Sequence, residues 1–313
     1  MAESQDFSPA VIAQLRQHAE VDVRDLDVSE VKQALCEYDV FWFRLGWPID
    51  ASVLDANSRC RILATPVTGI DHIDEMLCEQ LGVRIVCLRG EREFLRSVRA
   101  TAEMTLALAM AVMRRVPAAA ADVKAGHWRR DKFRGNELYE QTAGVIGCGR
   151  LGNIVAGYLV AIGMEVFTYD PRPEAVVPAG VIRLDSLAAV LERSDLISLH
   201  VNYHVGTHGM FGAAEFELCK PGAVLVNTSR GGLIDEGALL NALQTGHLAA
   251  AALDVLTDER NVTADHPLVK YARDHDNLLI VPHIGGNTYE SFTRTETFIA
   301  GRIIDLLSNE PKH

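Results

Sequence analysis

Three side chains able to hold a carboxylate or move a proton follow apolar runs in the second half of the chain. Arg230 closes VLVNTSRGG, Glu259 lies five residues beyond Asp254 in DVLTDE, and His283 directly follows LLIVP. Open α/β sheets bind ligands at the carboxyl ends of their strands, and all three residues fall at such ends. There, an arginine, an acid and a histidine make a carboxylate clamp, an orienting carboxylate and a proton donor. Gly231 and Gly232 would let the arginine's loop approach a ligand. Taken singly, each of the three is more often a surface charge or a satisfied histidine.

A second constellation runs from Gly144 to Asp170, GVIGCGRLGNIVAGYLVAIGMEVFTYD. Val145 and Ile146 lead into Gly147-x-Gly149-x-x-Gly152, a helical pattern follows (Ile154, Val155, Tyr158, Leu159, Ile162), and a strand over Val166 to Tyr169 ends on Asp170. Gly147 permits a tight turn, Gly149 lets backbone approach a pyrophosphate, and Gly152 lets the helix pack on the strand. The pyrophosphate would sit at the helix N-terminus, where free N–H groups favour an anion. Asp170 can accept hydrogen bonds from both ribose hydroxyls and would repel a 2′-phosphate, so the expected cofactor is NAD, with Arg172 two residues on as a complication. A glycine-rich turn in an ordinary α/β protein is the alternative for the glycines alone.

The elements that must position these groups alternate between strand and helix, which predicts parallel sheets. Residues 9–20 read as a helix opened by Pro9, and Val40–Phe43, Arg61–Ala64 and Val83–Leu88 read as strands of a first domain. TPVTGIDHID (65–74) sits at a strand's carboxyl end, where it is either a ligand loop or a plain turn. A long apolar helix over 98–116 carries Met104, Leu106, Leu108, Met110, Val112 and Met113, more than one face requires, and so predicts a crossing between domains or a subunit interface. Leu196–His200, Ala223–Thr228, Ala249–Asp254 and Leu278–Pro282 join the two strands around the glycine turn in a six-stranded doubly wound sheet. Helices are expected at Ser186–Arg193, Glu236–Gly246 and 287–308. The predicted organisation is a domain of residues 98–286 inserted between 1–97 and 287–313.

A formal charge of −12 argues against nucleic acid, since phosphates would repel the chain. The six cysteines show no C-x-x-C or metal spacing, which suits reduced thiols in a cytoplasmic protein. MAESQDFSPAV lacks the pattern of a signal peptide, and the most apolar run, Thr105 to Met113, is far short of the ~20 residues of a membrane span. His200, His204 and His208 are spaced by four, but Gly206 and the strand end argue against a helix presenting them together, and no metal site is expected.

ELYEQTAGVIGCGRLG, NTSRGGLIDEGAL, AAALDV and PHIGGNT, recurring in the same order, resemble the D-isomer-specific 2-hydroxyacid dehydrogenases. The resemblance implies two Rossmann-like domains, the nucleotide-binding one inserted in a flavodoxin-like substrate domain. It makes Arg230, Glu259 and His283 catalytic. It implies cofactor contacts at Gly147, Gly149, Arg150, Leu151, Gly152, Asp170, Asn202, Thr207, Thr228, Ser229, Asp254, Gly285 and Gly286. Substrate would be held by Arg230 and by backbone N–H groups of Val67, Thr68 and Gly69. The implied reaction is reduction of a small 2-oxo acid by NADH, or its reverse, in a homodimer built across the helix at 98–116. The rival is an NAD(H)-sensing scaffold resembling the family's corepressors. There are departures: the chain reaches its first helix almost at once where the family opens with a strand, Asn202 and Arg260 replace prolines, and the segment at 89–103 is longer than the usual turn.

Overall fold

A computed structural model describes residues 1–3 and 7–309, which divide into two compact units, Met1–Val98 with Asn287–His313, and Arg99–Gly286. The first begins with α1 (Pro9–Leu15) and α2 (Val28–Glu37), then β1 (Val40–Trp42), β2 (Ile62–Ala64), α3 (Glu75–Leu81), β3 (Arg84–Val86) and α4 (Arg92–Leu95). Its three strands are parallel in the order β1-β2-β3, with Val40 opposite Ile62 and Ile62 opposite Arg84. Beyond β1 the edge is only an isolated bridge between Ala2 and Arg24, with the Ala2 N–H donating to the Trp42 carbonyl at 2.9 Å. α1 is shorter than the expected 9–20. The cap of α3 is legible in its residues: Asp74 accepts the Leu77 N–H at 3.0 Å, and Gly82 ends the helix at φ 69°.

The second unit opens with α5 (Ala100–Met113), the helix expected to end before Pro117, and α6 (Val116–Lys124), which the sequence reading did not expect. The break is at Arg115, which adopts φ 54°, and Pro117 then occupies the first turn of α6. There follow β4 (Thr142–Ile146), α7 (Arg150–Ala161), β5 (Glu165–Tyr169), β6 (Val181–Arg183), α8 (Leu187–Leu191), β7 (Leu196–Leu199), α9 (Ala213–Leu218), β8 (Ala223–Asn227), α10 (Glu236–Gln244), β9 (Leu248–Leu253), α11 (Pro267–Asp274) and β10 (Leu278–Ile280). The sheet has seven parallel strands, not six, in the order β10-β9-β8-β7-β4-β5-β6. The extra strand, β6, is a three-residue edge with no buried position, so it lacks the apolar run that marks its neighbours. β7 and β8 are buried throughout, as strands covered on both faces must be.

One face of this sheet packs Leu108, Val112, Val155 and Leu159 from α5 and α7, and the other packs Val190, Leu191, Leu239, Leu243 and Leu268 from α8, α10 and α11. Strand order reverses between β4 and β7, so their carboxyl ends form the crevice where such sheets take ligands.

The last helix, α12 (Tyr289–Asn309), belongs to the first unit, where Ile299, Ala300 and Ile303 pack with Val11, Leu15 and Trp42. The long segment at 89–103 is accounted for by α4: Phe94 stacks on Phe298 with ring centroids 4.1 Å apart, and Arg294 Nη1 donates to the Ser97 carbonyl at 2.8 Å.

Candidate active site

The glycine turn shows three different uses of a missing side chain. Gly147 has φ 98°, and a Cβ there would lie 2.7 Å from the His200 carbonyl oxygen. A Cβ on Gly152 would collide with the Gly147 carbonyl oxygen, so only glycine allows α7 to start this close to β4. Gly149 is different, since a Cβ there would have nothing within 4 Å. That open space, at the N-terminus of a 12-residue helix, fits the pyrophosphate of a dinucleotide. Arg150 opens the helix, its guanidinium held below the ordinary arginine range by burial, and Leu151 packs against the core.

Asp170 ends β5 as expected, but its carboxylate is already engaged. Oδ1 accepts the Arg172 N–H at 3.0 Å and Arg172 Nε at 2.9 Å, while Oδ2 accepts the Cys148 N–H at 2.8 Å and Arg172 Nη2 at 2.7 Å. The arginine, aided by the two N–H groups and opposed by burial, holds this carboxyl down to about 2.

At the end of β8, Asn227 organises the loop that carries Arg230. Its Nδ2 donates to the Arg230 carbonyl at 2.9 Å and its Oδ1 accepts the Ser229 N–H at 3.0 Å. Thr228 shares a 2.7 Å hydrogen bond with Thr105, and the Ser229 hydroxyl donates to the Leu199 carbonyl at 2.8 Å. Arg230 Nη1 donates to the Ser229 carbonyl at 2.8 Å. The two glycines that follow allow close packing within the protein. A Cβ on Gly231 would collide with the Leu256 carbonyl group, and one on Gly232 would lie 2.6 Å from the Tyr203 ring. Gly231 brings the arginine's loop against the segment that leads to Glu259, and Gly232 brings it against Tyr203.

His283 and Glu259 meet: Nδ1 and Oε2 are 2.6 Å apart, with the two side chains 27% and 35% exposed, open enough for a substrate to reach. His283 itself has φ 51°, and Asp258, just before Glu259, has φ 52°, a conformation side chains other than glycine adopt at a cost. Asp254 fixes the turn from the other side. Its backbone carbonyl accepts the His283 N–H at 2.8 Å, and its carboxylate accepts the N–H groups of Ile284 at 2.7 Å and Gly285 at 2.8 Å. Burial raises the Asp254 carboxyl against those two N–H groups. A Cβ on Gly285 would lie 2.6 Å from Asp254 Oδ2, whereas one on Gly286 would have open space.

Thr207 donates to the Asn202 carbonyl at 2.9 Å and accepts the His204 N–H at 2.9 Å, which closes its own loop. His200 is bonded to Ser198 at 2.8 Å, and burial holds its ring down to about 4; His208 faces the Tyr203 hydroxyl at 3.1 Å. Among the described residues no group of three or more potential ligands could hold a metal ion. Val67, Thr68 and Gly69 lie in the first unit, where the Val67 carbonyl accepts the Leu88 N–H at 3.0 Å and Thr68 is exposed.

Two supporting residues escaped the sequence reading. One is Asn227, whose only signal was a polar residue closing an apolar run. The other is Glu236, which accepts the Thr257 N–H at 2.7 Å and faces His266 Nε2 at 3.2 Å, bracing the segment before Glu259.

Residues 106–285 match the family described as D-isomer specific 2-hydroxyacid dehydrogenase, NAD binding domain. The chain is 34% identical over 292 residues to D-3-phosphoglycerate dehydrogenase of Rattus norvegicus, covering 93% of this chain and 52% of that protein. It is 36% identical over 295 residues to the enzyme of the same name from Archaeoglobus fulgidus, covering 93% and 54%. The chain thus spans about half the length of these curated relatives. Among solved structures, the TT0316 protein from Thermus thermophilus superposes with a TM-score of 0.87 at 31% identity, covering 99% of this chain and 97% of that one. D-lactate dehydrogenase from Aquifex aeolicus, complexed with NAD and lactic acid, gives a TM-score of 0.84 at 28% identity, covering 97% and 93%. NAD is the cofactor that this domain takes, and the chain belongs to the D-isomer specific 2-hydroxyacid dehydrogenase family.

Proposed function

We propose that the chain interconverts a small 2-oxo acid and its D-2-hydroxy acid, with His283 as acid and base. The observation that carries this reading is the contact between His283 Nδ1 and Glu259 Oε2 at 2.6 Å. The dinucleotide, when bound, supplies or accepts the hydride at the substrate's C2. With Nδ1 facing Glu259, Nε2 is the nitrogen left to give a proton to the substrate oxygen or take one from it. Arg230 presents a planar fork suited to a carboxylate, which lysine cannot reproduce. Gly147, Gly149, Gly152, Arg150, Leu151 and Asp170 form the dinucleotide cradle, with Gly286 open beside the histidine turn. Thr228, Ser229 and Asp254 support it through the bonds described above, and Asn202 and Thr207 through their loop. To the first unit the proposal assigns substrate binding by the N–H groups of Val67, Thr68 and Gly69.

The protein is further read as a cytoplasmic homodimer with no nucleic-acid or membrane partner; no single described helix is long and apolar enough to cross a membrane. Half of α5 is buried, but Met110 is 38% exposed, and Val116, Val123 and Trp128 just beyond are 54%, 50% and 86% exposed. That apolar surface supports a subunit interface.

The test is NADH oxidation across a panel of 2-oxo acids. Turnover of at least one, lost in His283→Ala, is the expected result. Tight NADH binding with no turnover of any acid would overturn the enzyme reading and leave the sensing scaffold.

A further inference from the structure

Asp170 stands where the ribose of a dinucleotide is to be read, yet it has no accepting direction left. A carboxylate offers about four lone-pair sites, and here two go to backbone N–H groups and two to the Arg172 guanidinium. The backbone donors, Cys148 and Arg172, are fixed by the fold. The guanidinium is not: the Arg172 side chain is 57% exposed, while that of Asp170 is 3% exposed.

The base from which Arg172 reaches is rigid. Pro171 and Pro173 flank it and restrict the backbone on both sides. Arg183, at the end of β6, staples the same turn. Its Nη2 donates to the carbonyls of Asp170 at 2.8 Å and Arg172 at 2.6 Å, and its Nη1 to those of Pro173 at 3.0 Å and Ala175 at 3.3 Å. One arginine is thus spent holding the turn, and the other is presented on it as a long, solvated arm. Only the guanidinium half of the pair lies in solvent, so it can give way to another donor to the same carboxylate, whereas the backbone contacts cannot.

We propose that Arg172 sets this chain's choice of dinucleotide: laid on Asp170 it competes with the ribose hydroxyls of NAD(H), and lifted off it becomes the cation for the 2′-phosphate of NADP(H), so that the chain binds both. The proposal rests on the assignment of a dinucleotide to this domain. It departs from the simple reading of Asp170, in which the acid repels a 2′-phosphate. With Arg172 on the same turn, the acid's charge is offset, and the guanidinium suits a phosphate as well as a carboxylate.

Calorimetric titration of the whole chain with NADH and with NADPH, without substrate, tests this. The wild type should bind both. Arg172→Ala should tighten NADH by about threefold to tenfold, since no pair need open, and weaken NADPH by about tenfold or more. Arg172→Lys, which keeps a cation but not the fork, should retain more of the NADPH affinity than Arg172→Ala. A merely structural role would shift both dissociation constants in the same direction. A wild type that binds neither dinucleotide overturns the cofactor assignment and this inference together. A wild type that binds NADH but not NADPH, or an Arg172→Ala variant in which the two constants fail to move oppositely, overturns this inference alone.

Discussion

His283 Nδ1 lies 2.6 Å from Glu259 Oε2, although the two residues are 24 apart in sequence and each sits at or beside a left-handed backbone position. β9 and β10 run side by side, so the segments leaving their carboxyl ends meet. Asp254 then fixes the histidine turn through the N–H groups of residues 283 to 285.

The left-handed conformation of His283 makes a prediction that does not depend on activity. His283→Gly and His283→Ala both remove the ring, but only glycine adopts this backbone without cost. The glycine variant should be more stable than the alanine variant by about 1 kcal/mol in denaturant unfolding. Equal stabilities would mean the turn relaxes when the ring is lost.

Glu259→Gln keeps an acceptor for the histidine ring but removes the charge that accompanies its protonated form. The expected result is a loss of about tenfold or more in kcat/KM, equal in the two directions at any one pH because the equilibrium constant fixes their ratio, with NADH affinity nearly unchanged. Initial rates in both directions and an NADH titration check it. Near-normal kcat/KM would separate Glu259 from the proton step.

Arg230→Lys should leave NADH affinity nearly intact and lower kcat/KM for the 2-oxo acid by ~10²-fold, assuming a loss of about 3 kcal/mol of transition-state stabilisation. Near-normal turnover would remove Arg230 from the mechanism.

Acid stability should report the Asp170–Arg172 pair. The folded carboxyl is held down to about 2 from an ordinary value of 3.8, so its stabilising contribution is full above the ordinary value and disappears as pH falls toward 2. Arg172 is half-exposed and screened, so Arg172→Ala should cost only about 1 kcal/mol near pH 6. The gap between wild type and variant should narrow as the pH is lowered from about 5 toward about 2, followed by urea unfolding. A gap that does not change with pH would contradict the pairing.

Met110→Asp should weaken self-association, because the residue is exposed on α5 and its charge would be buried in an apolar interface. Sedimentation of wild type and variant checks this, and a monomeric wild type would remove the interface.

Short-range features were legible in the residues themselves. The turn at Gly147, Gly149 and Gly152 and the acid ending β5 depend on steric rules that act within a few residues, and each is found where those rules put it. Long apolar runs likewise declared the buried strands, while β6, short and exposed at the sheet edge, carried no such mark. Tertiary structure decided what each polar group touches. Gly231 needs its bare Cα because of Leu256, 25 residues on, and Glu259 meets His283 because two strands pair. Asp170 and Arg172 are only two residues apart, yet their bidentate bond depends on a turn that Arg183 of the neighbouring strand holds in place. Sequence spacing fixes which groups are near along the chain, but the direction of a carboxylate or guanidinium is set by the partners that folding brings to it.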